Sequence, residues 1–120
     1  MNMNMIDMTI NPTSFIVAGG RDYKFTDEDI DKLNNLNIQE LVSGNCKGAD
    51  KCGEEWANSN NIPVVVFPAD WAKHGRAAGP LRNREMARFS HAVVLFPGGA
   101  GTQSMHNEAL KENLIIYDYR

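Results

Sequence analysis

The sequence lacks long hydrophobic runs. Its strongest apolar stretches, such as 64–67 and 92–96, fall far short of the roughly 20 residues that a membrane-spanning helix needs. The opening residues 1–13 contain neither a basic cluster nor the continuous apolar segment of a secretory signal peptide. We therefore expect no membrane partner and a cytoplasmic location.

Cysteine is scarce as well. The two cysteines, Cys46 and Cys52, do not form a CxxC motif, and no further cysteine is available to complete a zinc-binding set. The three histidines show no metal-binding spacing. These absences predict reduced, buried thiols, no metal site and no cofactor.

Positive charge is in deficit overall but locally concentrated. The formal net charge is −3, which argues against bulk attraction to nucleic acid. Segment 73–88 departs from this balance, because it carries one acid, Glu85, and five basic residues: Lys73, Arg76, Arg82, Arg84 and Arg88. A local positive field within an acidic protein suits a small anionic ligand.

At 120 residues the chain is long enough for one hydrophobic core and too short for two domains of ordinary size. Its composition, 42% hydrophobic and 22% charged, is that of an ordinary globular protein. We expect a flexible polar extension over residues 1–13 and a single folded domain over residues 14–120.

Short β-branched segments alternate with helical patterns along this domain. Thr26 is the predicted N-cap of the first helix, and segment 68–79, which shows no period, is predicted to be an ordered surface loop. The alternation predicts a Rossmann-like α/β fold, in which a parallel sheet of about five strands has helices on both faces. The predicted strands are 14–18, 40–43, 62–67, 91–96 and 114–117, and the helices are 27–35, 49–59, 80–89 and 102–112.

Residues 97–102, Pro-Gly-Gly-Ala-Gly-Thr, leave a strand and open a helix, which is the setting of a phosphate-binding loop. The glycines let backbone N–H groups turn toward one point, and the helix N-terminus adds partial positive charge. Thr102 either donates its hydroxyl to the phosphate or caps the helix. The loop matches neither a Walker A motif nor GxGxxG. The predicted phosphate contacts are Pro97, Gly98, Gly99, Gly101 and Thr102.

Other strand-end loops are expected at the same edge, where ligands bind in such sheets. The turn 44–50 is predicted to hold a ribose or a base, and Asp50 is either a ligand contact or a helix cap. Arg21 and Asp22 form either a surface ion pair or ligand contacts. Trp71 either stacks on a base or packs in the core. The candidates in the first two loops are Gly19, Gly20, Arg21, Asp22, Ser43, Gly44, Lys47, Gly48 and Asp50.

Arg82 is the predicted source of positive charge for the phosphate. By i, i+4, i+7 spacing it shares a helix face with Met86 and Phe89, which are predicted to pack on the sheet. This placement aims Arg82 at the crevice from the start of its helix. Arg84 and Arg88 lie on a different face and are predicted to be solvated.

Together these motifs resemble the SLOG superfamily, in its YspA-like, YpsA-related branch. The resemblance extends from about residue 14 to residue 118 and implies a Rossmann-like protein that binds a nucleotide or a nucleotide-derived signal, as a sensor or by sequestering it. It also implies a homodimer or higher homo-oligomer. The resembling segments are Ala18 to Asp22, Ser43 to Asp50, Phe67 to Trp71, His74-Gly75, Ala78 to Pro80, Arg82 to Arg84 with Met86, and Pro97 to Thr102.

Arg82, Met86 and loop 97–102 also fit the register of LOG-type phosphoribohydrolases, which release a base from a nucleoside 5′-monophosphate. Two departures stand out. Asn83 replaces the lysine of that motif, and Met105 stands where its catalytic glutamate would be. Methionine can neither stabilise an oxocarbenium-like centre nor activate water.

The resemblance therefore leaves enzymatic activity open. A hydrolase would use Arg82 on the phosphate or ribose, with Glu108 or Asp50 as the carboxylate. The glycine-bearing turn at Gly44 also resembles DprA-type DNA-processing proteins. The acidic charge and the short chain make nucleic acid the less favoured partner.

Overall fold

The computed structural model of the chain describes residues 12–120. The flexible extension predicted for residues 1–13 therefore lies outside the described residues, apart from Pro12 and Thr13. Within residues 12–120, no helix is both long and apolar enough to cross a membrane.

Five parallel strands form one sheet, in the order β3-β2-β1-β4-β5. The predicted Rossmann-like α/β fold is thus confirmed. The strands are β1 (Ser14–Ala18), β2 (Glu40–Ser43), β3 (Val64–Val66), β4 (Ala92–Leu95) and β5 (Ile115–Asp118). The helices are α1 (Asp27–Asn35), α2 (Ala49–Ser59), α3 (Trp71–His74), α4 (Ala78–Phe89) and α5 (Ala100–Lys111), and a 3₁₀ turn, Gly75–Ala77, joins α3 to α4.

The sheet is buried on both faces, as parallel sheets are. Every residue of β1 is buried, because its side chains alternate between two hydrophobic cores. Phe15 and Val17 pack with Leu33 of α1 and Trp56 of α2 on one face. On the other face the core consists of Ile16, Val42, Met86, Val93, Leu95 and Met105, with smaller residues of α4 and α5.

Thr26 caps α1, as predicted. Its Oγ1 accepts a hydrogen bond from the backbone N–H of Asp29 at 3.1 Å, and the Asp29 carboxylate accepts one from the Thr26 N–H at 3.0 Å. This reciprocal capping box pairs two otherwise unsatisfied donors at the start of the helix. The Tyr23 hydroxyl donates to the same carboxylate at 2.6 Å, which fixes the loop that leaves β1.

The prediction of a loop over 68–79 was wrong, because most of this segment is helical. Asp70 caps α3 by accepting a hydrogen bond from the Lys73 N–H at 3.1 Å, and α4 begins at Ala78 rather than Pro80. A four-residue helix is too short to show a hydrophobic period. Similarly, α5 begins at Ala100, two residues before the predicted start, and β3 is shorter than the predicted 62–67.

The carboxyl ends of the strands form the edge that carries the site. Because neighbouring strands lie about 4.8 Å apart, the strand order fixes the order of the loops along this edge. The loop after β4 comes first, followed by the loops after β1, β2 and β3. Helix α4 crosses from β3 back to β4 and covers this part of the sheet on one face.

Candidate functional site

Three strand-end loops are joined by backbone hydrogen bonds. The Gly20 N–H donates to the Pro97 carbonyl oxygen at 2.8 Å, and the Ala49 N–H donates to the Gly20 carbonyl oxygen at 3.1 Å. Gly48 makes the second contact possible, since its φ of 76° lies in the left-handed region that favours glycine. A Cβ there would collide with the carbonyl oxygens of Gly20 and Arg21. These contacts fix the loops after β1, β2 and β4 relative to one another.

At the N-terminus of α5, no side chain among residues 12–120 caps the backbone N–H groups. Gly99 is the N-cap and offers no side-chain acceptor, so the first-turn N–H groups of the helix receive no side-chain cap. A Cβ at Gly99 or Gly101 would meet no atom within 4 Å, whereas one at Gly98 would collide with Thr102 Oγ1. Gly98 is therefore required by the loop itself, and Gly99 and Gly101 leave the backbone open to a ligand.

Thr102 is the third residue of α5, so it does not cap the helix. Its side chain is 4% exposed and lies against Gly98. Of the two roles that the sequence left open for Thr102, capping was wrong. Contact with a phosphate stays a prediction.

Arg82 is buried and its guanidinium joins several parts of the site. Nη1 donates to the Gly44 carbonyl oxygen at 2.7 Å and to that of Phe67 at 3.4 Å, and Nε donates to Asn83 Oδ1 at 2.9 Å. Nη2 has only a 3.8 Å contact with Cys46 Sγ. Arg82 thus links α4 to the ends of β2 and β3 and keeps Nη2 at the wall of the cavity described below.

Asn83 extends this network to α5. Its Nδ2 donates to Ser104 Oγ at 3.2 Å and to the Gly101 carbonyl oxygen at 3.4 Å. The residue that replaces a motif lysine therefore holds the start of α5 against α4. This contact joins two helices that sequence spacing alone does not bring together.

Asp50 is an almost fully buried carboxylate in the first turn of α2. It is 8% exposed, and its Oδ2 accepts a hydrogen bond from the Cys46 N–H at 3.1 Å. Burial raises the pKa of Asp50 from 3.8 to about 6, while the Cys46 N–H and the Arg82 charge limit the rise. Because its Oδ2 accepts from the turn rather than from the end of α2, the alternative prediction of a simple helix cap was wrong.

A cavity of about 460 Å³ opens between these loops and α4. Its volume is in the range of small-molecule sites, about 300–1,000 Å³. The cavity brings together nine of the predicted ligand-binding residues: Gly19, Gly20, Arg21, Asp50, Trp71, Arg82, Gly99, Gly101 and Thr102. The other seven do not line it: Asp22, Ser43, Gly44, Lys47, Gly48, Pro97 and Gly98.

Several of those seven support the site from outside the cavity. Ser43 is buried and its hydroxyl donates to Glu54 Oε2 at 2.6 Å, so it faces α2 rather than a ligand. Gly44 makes room for Arg82, because a Cβ there would lie 2.7 Å from Arg82 Nη1. Lys47 and Asp22 are exposed.

Sequence reasoning missed half of the cavity wall. The missed residues lie at the end of β1, in the loop after β2, along α4 from its second residue and in the first turns of α5, and only packing brings them to one cavity. Asn83, Met86 and Met105 carried a signal, because they occupy positions of the SLOG and LOG-type motifs. The missed residues are Ala18, Cys46, Gly79, Pro80, Asn83, Met86, Ala100, Ser104 and Met105. Both cysteines are half-buried, so the prediction of buried thiols was wrong, and Cys46 faces the cavity.

Trp71 lies at the mouth of the cavity. It is 51% exposed, so the alternative of core packing was wrong. Its ring lies over Gly79, where an added Cβ would be 3.3 Å from the Trp71 ring. An exposed indole at the rim of a cavity offers a flat apolar surface to a planar group.

The carboxylate of Glu108 lies outside the cavity. It is 7% exposed, and Arg84 and Lys111 approach it at 3.5 Å and 3.4 Å. Arg88 pairs in the same way with Glu112 at 3.5 Å, so Arg84 and Arg88 are exposed, as predicted, and each also contacts a glutamate. These ion pairs join α4 to α5 on the side away from the loops.

The raised pKa predicts that Asp50 opposes folding at neutral pH. The folded protein binds more protons than the unfolded chain between pH 3.8 and about 6, so the free energy of unfolding falls as pH rises through this window. Asp50→Asn keeps an oxygen for the Cys46 N–H and should be more stable than wild type at pH 7.5 by about 1–3 kcal/mol. Urea unfolding at pH 7.5 and 4.5 should show this difference shrinking at the lower pH. Equal stability at pH 7.5 would contradict the assignment.

Fold and site together define a Rossmann-like domain with a glycine-lined cavity at the carboxyl edge of its sheet. The model of the YspA, cpYpsA-related SLOG family matches residues 13–74, which include the loops after β1 and β2 and Trp71. The "Gene 61 protein" of Mycobacterium phage D29 is 36% identical over 87 residues, which cover 66% of this chain and 70% of that protein. No solved structure matches the chain. The chain belongs to the YspA, cpYpsA-related SLOG family, which confirms the resemblance drawn from its motifs.

Proposed function

We propose that the protein binds a nucleotide or nucleotide-derived ligand, with a phosphate at the N-terminus of α5, and acts as a sensor or by sequestering a signal molecule. The observation that carries this proposal is the juxtaposition of uncapped first-turn N–H groups and the Arg82 guanidinium on one cavity. Membership of the SLOG family is consistent with such a ligand.

The chemistry of this end of the cavity favours an anion. The helix N-terminus supplies backbone donors and a partial positive charge, and the open backbone at Gly99 and Gly101 lets a phosphate oxygen approach closely. Arg82 Nη2 adds a formal positive charge, which strengthens a hydrogen bond to an anion. Both kinds of donor act on a phosphate held between the start of α5 and the start of α4.

The proposed activity is capture without cleavage. Met105 lines the cavity at the position of the LOG-type glutamate, and its thioether neither transfers a proton nor carries a charge. Glu108 is engaged with Arg84 and Lys111 outside the cavity. The one carboxylate that lines the cavity among residues 12–120 is Asp50.

Isothermal titration at pH 7.5 tests the proposal directly. The probes are the four nucleoside 5′-monophosphates, ADP-ribose and cyclic nucleotides, and at least one should bind with a submillimolar Kd. After overnight incubation, chromatography should recover that ligand intact. The absence of binding at millimolar concentration of every probe would overturn the proposal, and accumulation of free base would replace capture by hydrolysis.

Arg82→Ala should weaken binding of the ligand so identified by roughly ten- to a hundredfold, the usual effect of losing a charge-assisted hydrogen bond. It should also lower the thermal stability, because the Gly44 and Phe67 carbonyl oxygens lose their donor. Titration and thermal unfolding measure the two effects separately.

Arg88→Ala is the matched control on the same helix. Its side chain is 66% exposed and pairs with Glu112, away from the cavity. Affinity and stability should both stay close to wild type. Equal losses of affinity in the two variants would mean that diffuse positive charge, and not a defined phosphate site, accounts for binding.

A further inference from the structure

Asp50 gives the cavity a second polar group, separated from the start of α5 by the glycine-bearing loops. The start of α5 follows β4 and Asp50 follows β2, with β1 between them. The Asp50 carboxylate lies beside Gly44 at the end of β2, and the loop that opens α5 follows β4, two strand spacings or about 10 Å along the edge. A ligand anchored at α5 and extending along this edge therefore meets Asp50, and Trp71, whose ring lies over Gly79 of α4, stands at the mouth of the same cavity.

The Asp50 carboxylate has unused capacity to accept hydrogen bonds from a ligand. The residue is more than nine-tenths buried and lines the cavity, and its Oδ2 accepts one backbone hydrogen bond, from Cys46. Within residues 12–120, no lysine, arginine or histidine nitrogen lies within 4 Å of this carboxylate. An ionised carboxylate can accept about four hydrogen bonds, and a buried one is costly unless they are made.

Arg82 lies nearby without neutralising Asp50. A Cβ at Gly44 would be 2.7 Å from Arg82 Nη1 and 3.1 Å from Asp50 Oδ2, so the two groups flank the same glycine. Arg82 Nη1 is turned to the carbonyl oxygens of Gly44 and Phe67 instead. The acidic group therefore keeps acceptor capacity for whatever occupies the cavity.

We infer that Asp50 accepts hydrogen bonds from the ribose hydroxyls of the ligand, so that the site selects ribonucleotides with free 2′ and 3′ hydroxyls over their deoxy counterparts. This inference rests on the proposed function. In Rossmann-like sheets an acidic residue further along the edge from the phosphate is a general solution for binding a ribose hydroxyl. Trp71, at the mouth of the same cavity, is then available to stack on the base.

A matched set of nucleotides tests this inference. Each of AMP, GMP, CMP and UMP is titrated at pH 7.5 beside its 2′-deoxy and 2′,3′-dideoxy counterparts. With wild-type protein, the ribonucleotide that binds best should bind about tenfold or more tightly than its dideoxy counterpart. In Asp50→Asn that ratio should fall to less than about threefold, because a neutral amide accepts more weakly than a carboxylate.

Glu55→Gln, an exposed acidic residue on the same helix, removes one negative charge outside the cavity and should keep the wild-type ratio. If no nucleotide of the set, nor ADP-ribose, nor a cyclic nucleotide binds wild-type protein, the proposed function itself fails. If ribonucleotides and dideoxynucleotides bind equally, the function stands and the inference is overturned. A ribonucleotide preference that survives in Asp50→Asn also overturns it, because the selection would then come from another residue.

Discussion

Gly48→Ala should lower the free energy of unfolding by about 3–5 kcal/mol, a loss at the upper end of what single substitutions cause. Gly48 has a φ of 76°, and an added Cβ would collide with the carbonyl oxygens of Gly20 and Arg21. Backbone atoms cannot move aside as a flexible side chain would. The Ala49-to-Gly20 hydrogen bond would therefore have to break, and the loops after β1 and β2 would separate. Urea unfolding followed by circular dichroism measures the loss.

Gly75→Ala is the matched control for this prediction. Gly75 also has a positive φ, 55°, but a Cβ there would meet no atom within 4 Å. Its ψ of −132° is close to the −126° of Gly48, so the substitution should cost only the backbone strain of a non-glycine residue, about 1–3 kcal/mol. Equal losses in the two variants would show that the contact with Gly20 and Arg21 contributes nothing beyond backbone conformation.

Gly101→Val should abolish most ligand binding while leaving the fold intact. The added Cβ would meet no protein atom within 4 Å, and Gly101 lies in the first turn of α5, a conformation that valine can adopt. The side chain would occupy the space through which a phosphate reaches the first-turn N–H groups. We expect the Kd to rise at least about a hundredfold, with the unfolding temperature within a few degrees of wild type.

Titration with the ligand identified for wild-type protein, together with thermal unfolding, checks both parts of this prediction. Asn107→Val places the same side chain at an exposed position of α5 outside the cavity and should bind normally. Wild-type affinity in Gly101→Val would mean that the phosphate does not bind at the start of α5. A large drop in stability would leave the loss of binding explained by misfolding.

The alternation of apolar and helical segments was enough to predict the sheet and the edge at which its loops meet. The glycines predicted to approach a ligand fall into two groups that only the structure separates. Gly99 and Gly101 face open space, whereas Gly48 and Gly98 are required by neighbouring backbone and side-chain atoms. The sequence alone does not distinguish a glycine that faces open space from one that neighbouring atoms require.

Contacts between distant residues account for the errors. Ser43 is held by Glu54, and Glu108 by Arg84, and neither partnership has a local signature in the sequence. Helix α3 was not predicted because four residues show no hydrophobic period. The exposed position of Trp71, its first residue, was therefore left undecided between base stacking and core packing. Arg82 lines the cavity, as helical spacing predicted, but Phe89, which the same spacing placed on the sheet, is 46% exposed. The hydrogen bonds of Arg82 to two carbonyl oxygens depend on where the loops lie.

The loops after β1, β2 and β4 are connected through backbone donors and acceptors, at Gly20, Ala49 and Pro97. Such contacts do not depend on which side chains the neighbouring residues carry. Lining side chains that make no hydrogen bond to the loop backbone, such as that of Trp71, can therefore be exchanged without rebuilding the loops, whereas Arg82 and Asp50 hold the loop after β2 and cannot. A change of ligand thus requires substitutions at the first kind of wall position and leaves the glycine framework as it is.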